Sequence, residues 1–154
     1  MLVDSDLERQ TLQQLRSLQS WLQTMRGIAL TIEKPLFDLG PPPGEDDAPR
    51  PPCIPDFIVR APGVGRGGCS VAIVETMGFA DEAYRERKVR MHAVMRHALG
   101  GAPLIAHEFH EPPGQQQSRR DSRFWQELRW IITGPETASA GRRPAREREA
   151  VSPK

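Results

Sequence analysis

From Ser70 to Met77 the chain is dense in valine and isoleucine, a run that reads as a β-strand. It follows another such run, Ile54 to Arg60, across the glycine-rich connection Ala61 to Gly68, so the two strands are expected to form a hairpin. After Gly78, Asp81 can cap a helix running to about Leu99, closed by Gly100, Gly101 and Pro103, and a further strand is expected at Leu104 to Phe109. A helix standing between two strands suggests a parallel crossover, which makes the sheet mixed and covers it with helices.

Upstream, Leu15, Leu18, Leu22 and Met25 recur at helical spacing within Ser5 to Met25, with Ser5 as N-cap, Glu8 three residues later and Gly27 as the stop. Ile28 to Leu39 reads as a first strand, bent or held at an edge by Pro35. Near the end, Phe124, Leu128 and Ile131 predict a short helix over Arg123 to Ile132. The expectation is one α/β domain over 5–133, with helices flanking a four-stranded mixed sheet. The 154 residues suffice for one real core and are too few for two. With 15 prolines and 13 glycines the chain also needs long irregular stretches, here a flexible loop over 40–52 and a disordered basic tail over 134–154.

The net charge of +1 argues neither for nor against a polyanionic partner. Its distribution is uneven: Glu45 to Asp47 are acidic, whereas the stretch from Arg119 to Arg148 is locally basic and leaves room for a face that follows phosphates. Cys53 and Cys69 lie apart without a CxxC pairing, so neither a zinc site nor a disulfide framework is indicated. No apolar leader and no run approaching a membrane span is present, and a cytoplasmic location is expected.

Pro55-Asp56-Phe57-Ile58-Val59, followed nineteen residues after the aspartate by Glu75 within Val71 to Met77, resembles the signature of the PD-(D/E)XK nuclease superfamily. The order of elements is similar to the α-β-β-β-α-β core of that restriction-endonuclease-like fold, over roughly Leu7 to Phe109. The resemblance implies that Asp56 opens the second strand, Glu75 lies on the third, and the two carboxylates meet across the hairpin to bind Mg²⁺ or Mn²⁺. Such hard oxygen ligands suit phosphodiester hydrolysis, where a cation neutralises phosphate charge and activates water. The family's usual lysine, two residues after the glutamate, is here Met77, whose thioether cannot donate a proton. Several branches of the superfamily take the lysine from the following helix, and Lys88 is the candidate for that role.

Periodicity places Tyr84, Lys88, Met91, Met95 and Ala98 on one face of that helix. Lys88 is the charged member of the stripe, so its ammonium either snorkels past the sheet edge or finds a carboxylate. Both readings stay open. Glu8 resembles the acidic helix residue that many members add to the metal site, but it also fits a capping box with Ser5. Glu33 is an alternative acidic contributor.

Other signals are set aside. The GxGxxG at Gly63 to Gly68 precedes a strand rather than opening a helix, so it lacks a phosphate cradle. His107 and His110 are three apart at a strand end and cannot form the zinc pair of HExxH. His92 borders the inward helix face and could touch the site, but it fits a packed or surface histidine better. Trp125 and Trp130 with Arg123 and Arg129 could stack on bases, or could belong to an amphipathic helix covering the sheet.

The function expected is therefore a metal-dependent nuclease acting on nucleic acid, DNA in the first place. Asp56 and Glu75 would bind the cation, and Lys88 would stabilise the attacking water or the developing phosphorane charge. The alternative is a catalytically silent nuclease-fold module that binds nucleic acid or protein, and a further expectation is a fragment of a larger bacterial mobile-element protein.

Overall fold

The computed structural model describes residues 5–40, 52–64, 69–78, 82–109 and 115–134. Helix α1 (Asp6–Arg26) begins where the Ser5 hydroxyl accepts the Glu8 N–H at 3.1 Å. It ends at Gly27, whose φ of 64° lets the N–H groups of Gly27 and Ile28 close on the carbonyls of Gln23 and Leu22. Between these caps Leu12, Leu15, Leu18 and Leu22 form a buried stripe.

The chain continues through β1 (Thr31–Glu33), β2 (Phe57–Pro62), β3 (Cys69–Met77), α2 (Glu82–Ala98), β4 (Leu104–Glu108) and α3 (Gln115–Thr133). The strands form one sheet in the order β1-β2-β3-β4. β1 and β2 are antiparallel, β2 and β3 are antiparallel, and β3 and β4 run parallel across the α2 crossover. This is the mixed four-stranded α/β architecture expected for a restriction-endonuclease-like fold.

Because side chains alternate along a strand, β2 and β3 serve two layers. Phe57, Val59, Ala61, Ala72 and Val74 join Ile105 and the stripe of α1 in one core, closed by Phe124, Leu128 and Ile132 of α3. Ile73, on the opposite face, packs with Cys53, Met95 and Ala102 beneath α2. Cys53 is a buried free thiol.

Several boundaries differ from expectation. The first strand occupies only Thr31–Glu33 instead of 28–39: Pro35 cannot donate to a ladder, and Leu36 and Phe37 beyond it are exposed. The second strand starts at Phe57, after Pro55 and Asp56, rather than at Ile54. The last helix begins at Gln115 instead of Arg123. Its first turns carry no apolar period, but Gln117 donates to the Glu108 carbonyl at 3.2 Å and anchors them to the end of β4. In α2 the inward stripe ends at Met95. Ala98 is exposed and Leu99 packs inward in its place. The Asp81 cap, His110, most of the 40–52 and 63–68 loops and nearly all of the 134–154 tail lie outside the described residues. Among the described residues no helix is long and apolar enough to cross a membrane.

Candidate active site

The β2–β3 ladder ends at the pair Phe57 and Val74, and one step beyond it the strands are joined by side chains instead. Glu75 Oε1 accepts the Asp56 N–H at 3.0 Å, and Asp56 Oδ2 accepts the Thr76 N–H at 2.7 Å. Each carboxylate thus caps the backbone of the opposite strand. By strand alternation both side chains lie on the face covered by α2.

Lys88, in the second turn of α2, turns its ammonium inward to this pair. Nζ lies 2.8 Å from Asp56 Oδ2 and 2.9 Å from Glu75 Oε2, and donates to the Thr76 carbonyl at 3.1 Å. The ammonium does not snorkel outward. Glu75 lies at the bottom, with its side chain 1% exposed, while Asp56 and Lys88 reach the rim at 14% and 17%.

These depths set the titration behaviour. Burial raises the Glu75 pKa above its ordinary value, the Asp56 charge adds to the rise, and Lys88 counteracts it. The Lys88 pKa is raised as well: burial opposes its charge, but Glu75 and Asp56 together outweigh that cost. An ammonium held in this way stays protonated at neutral pH, so it can donate hydrogen bonds and stabilise negative charge but cannot act as a base.

A cleft of about 330 Å³ opens over the cluster, lined by Asp56, Thr76 and Lys88 together with Glu8, Gly78 and Tyr84. Glu8 therefore reaches the site from α1. Only half of the expected capping box forms: the Glu8 N–H meets Ser5, while the carboxylate ion-pairs with Lys34 at 2.7 Å. Glu33 is not part of the site, because β1 is an outer strand and the Glu33 carboxylate binds Arg60 at 3.1 Å. Met77 is buried on the Glu75 face of β3. His92, one turn beyond Lys88, keeps a buried Nε2 with no hydrogen-bond partner among the described residues, and burial followed by the Lys88 charge lowers its pKa. A larger cleft of about 680 Å³ between α1 and α3 is lined by Asp121, Trp125, Arg129 and Trp130, and brings together none of the cluster residues. In it Arg129 stacks on Trp21 and Trp125, which makes that face of α3 a packed seam with Trp130 exposed beside it.

The donor set is compatible with a hard dication. Glu75 Oε2 is buried and lacks an aligned hydrogen bond even with Lys88 beside it, and Asp56 Oδ1 takes no hydrogen bond among the described residues. Among those residues no three His, Cys, Asp or Glu side chains form a metal cage. One or two carboxylates completed by water and substrate phosphate is the usual arrangement for Mg²⁺.

Fold and cluster together define a nuclease-fold module. The chain belongs to the family described as restriction endonuclease-like C-terminal domain, which it matches over residues 4–131. It is also 40% identical over 97 residues to an Escherichia coli protein described as an uncharacterized protein in the cib 5' region. That match covers 61% of this chain but only 42% of the relative, so the chain spans less than half of that protein. No solved structure matches the chain.

Proposed function

We propose that this chain is a metal-dependent nuclease that hydrolyses phosphodiester bonds in nucleic acid, DNA in the first place. Asp56 and Glu75 are the ligands for Mg²⁺ or Mn²⁺, and Lys88 is the catalytic lysine, moved from strand to helix. The observation that carries this reading is the convergence of Lys88 Nζ on both carboxylates, at 2.8 and 2.9 Å. Met77 leaves the family's usual lysine position to a thioether, and α2 delivers an ammonium to the same carboxylates from the next element of the chain.

When bound, the cation supplies Lewis acidity toward the phosphate and toward water. Asp56 at the rim and Glu75 below offer it oxygen lone pairs that the protein leaves unspent. Lys88, kept protonated by the two carboxylates, orients the attacking water and stabilises charge developing on the phosphorus oxygens. Glu8, on the cleft wall, adds a third carboxylate whose charge Lys34 balances.

The second reading, a catalytically silent module that binds nucleic acid or protein, is favoured by one observation. Lys88 donates to Asp56 and Thr76 and ion-pairs with Glu75, so the cluster is already internally neutralised apart from one negative charge. Cleavage of plasmid and single-stranded substrates with Mg²⁺ or Mn²⁺ separates the two. Wild type is expected to cut, and Asp56→Ala, Glu75→Ala and Lys88→Ala to lose activity. Cutting unaffected by the first two changes overturns the nuclease reading, and a wild type that binds but never cuts establishes the silent one. The extent of the E. coli relative beyond the match supports reading the chain as a module of a longer protein.

A further inference from the structure

Thr76 is bound on both sides of the sheet. Its backbone N–H and carbonyl hold Asp56 and Lys88, while its side chain points to the opposite layer and donates to Thr11 Oγ1 at 3.0 Å. Thr11 in turn lies 2.8 Å from His107 Nδ1, and His107 Nε2 lies 2.9 Å from Asp121 Oδ1. Thr11, Thr76 and His107 are all buried, in a layer otherwise built from apolar side chains.

Proton counting gives this chain a direction. A carboxylate oxygen only accepts, so His107 Nε2 carries the hydrogen that goes to Asp121. Burial lowers the pKa of His107, and in the neutral ring with its hydrogen on Nε2 the Nδ1 atom accepts from the Thr11 hydroxyl at 2.8 Å, in competition with the Leu7 carbonyl, which lies 3.1 Å from the same oxygen. Thr11 then accepts from Thr76. Every hydrogen bond from Thr76 to Asp121 thus runs the same way. The far end is fixed by Gln117, which donates to Asp121 Oδ1 at 2.8 Å. The ring itself is clamped, stacked on Phe124 with centroids 4.4 Å apart and tilted against Phe109 at the same distance.

Apolar side chains of similar size would fill this space without the cost of burying three polar groups. What they would not supply is an orientation for Thr76. We propose that His107, through Thr11, is a positioning residue that sets the Thr76 peptide and with it the geometry of Asp56 and Lys88 across the sheet. The inference rests on reading that cluster as the functional site.

The test uses the full chain and two independent readouts: the Thr76 amide proton shift in a ¹H–¹⁵N spectrum, and Mn²⁺ affinity by calorimetry. Thr11→Val keeps the shape of the side chain and removes its hydroxyl. It is expected to move the Thr76 amide signal and to weaken Mn²⁺ binding about tenfold, as loss of an outer hydrogen bond does at metal sites. Thr11→Ser is expected to restore both. Should Thr11→Val not fold, Asp121→Ala, at the partly exposed end of the chain, is expected to shift the same amide. A Thr76 signal that stays in place in a folded Thr11→Val or Asp121→Ala protein overturns the proposal. If wild type binds no Mn²⁺ and cuts nothing, the site reading falls by itself, and the amide response still decides whether His107 positions Thr76.

Discussion

Replacing Lys88 by methionine keeps most of the length of the side chain and removes its charge. Two carboxylates then face each other with nothing between them, one of them 1% exposed. Breaking a buried ion pair costs about 3–5 kcal/mol, and the partial exposure of Asp56 and Lys88 places this case near the lower end, at about 3 kcal/mol. That is roughly a hundredfold in the unfolding constant and leaves a domain of ordinary stability folded. The loss should depend on pH. The Glu75 pKa is already raised, and Lys88 opposes the rise more than the Asp56 N–H does, so the variant takes up a proton at Glu75 more readily and relieves the repulsion. Urea unfolding of wild type and variant near pH 7 and near pH 5 measures this. The gap between the two proteins is expected to narrow at the lower pH, as protonation replaces the missing counter-charge. A gap that is equal at both pH values, or below about 1 kcal/mol throughout, would refute the view that the ammonium compensates these carboxylates.

Acid sensitivity should also involve His107. Its folded pKa lies below the ordinary 6.5, so the stability it contributes is complete above that value and is lost as pH falls below it. His107→Gln should lose less stability than wild type between about pH 7 and about pH 5, as read from urea midpoints, and an equal loss would show that the ring is not held neutral. Arg87 is exposed, lies 5.4 Å over the ring of the cleft residue Tyr84, and makes no ion pair among the described residues. Arg87→Ala should weaken nucleic-acid binding evenly across sequences and reduce its salt slope by about one, measurable by fluorescence anisotropy at several salt concentrations. Gly27 holds φ at 64° with open space around an added Cβ, so Gly27→Ala should cost about 1 kcal/mol in thermal unfolding, from backbone strain alone.

The parts of the site legible in the sequence are those where local pattern and chemistry coincide. A carboxylate within the apolar run 71–77 demands a partner, and the helical register of α2 places Lys88 over the sheet. Glu8 shows where this stops. Its position after Ser5 is a local fact, but the destination of its carboxylate depends on Lys34, 26 residues away. Spacing along the strand relates His107 only to His110, whereas its partners Thr11 and Asp121 come from two helices. Thr11 sat within a legible helical stripe, yet a polar residue there carries no apolar signal. The start of α3 was hidden for a related reason: Gln117 and Asp121 order it through contacts that periodicity does not record.

The two-sided bonding of Thr76 makes β3 intolerant of error. Sliding β3 by one residue against its neighbours would exchange Glu75 and Thr76 between the layers. The carboxylate would enter the layer of Phe124 and Leu128, and the hydroxyl would face Lys88. Both layers would lose their polar partners at once. A misthreaded hairpin therefore gains nothing on one face to offset the other, and the alignment that assembles the cleft is the same one that lets the sheet close.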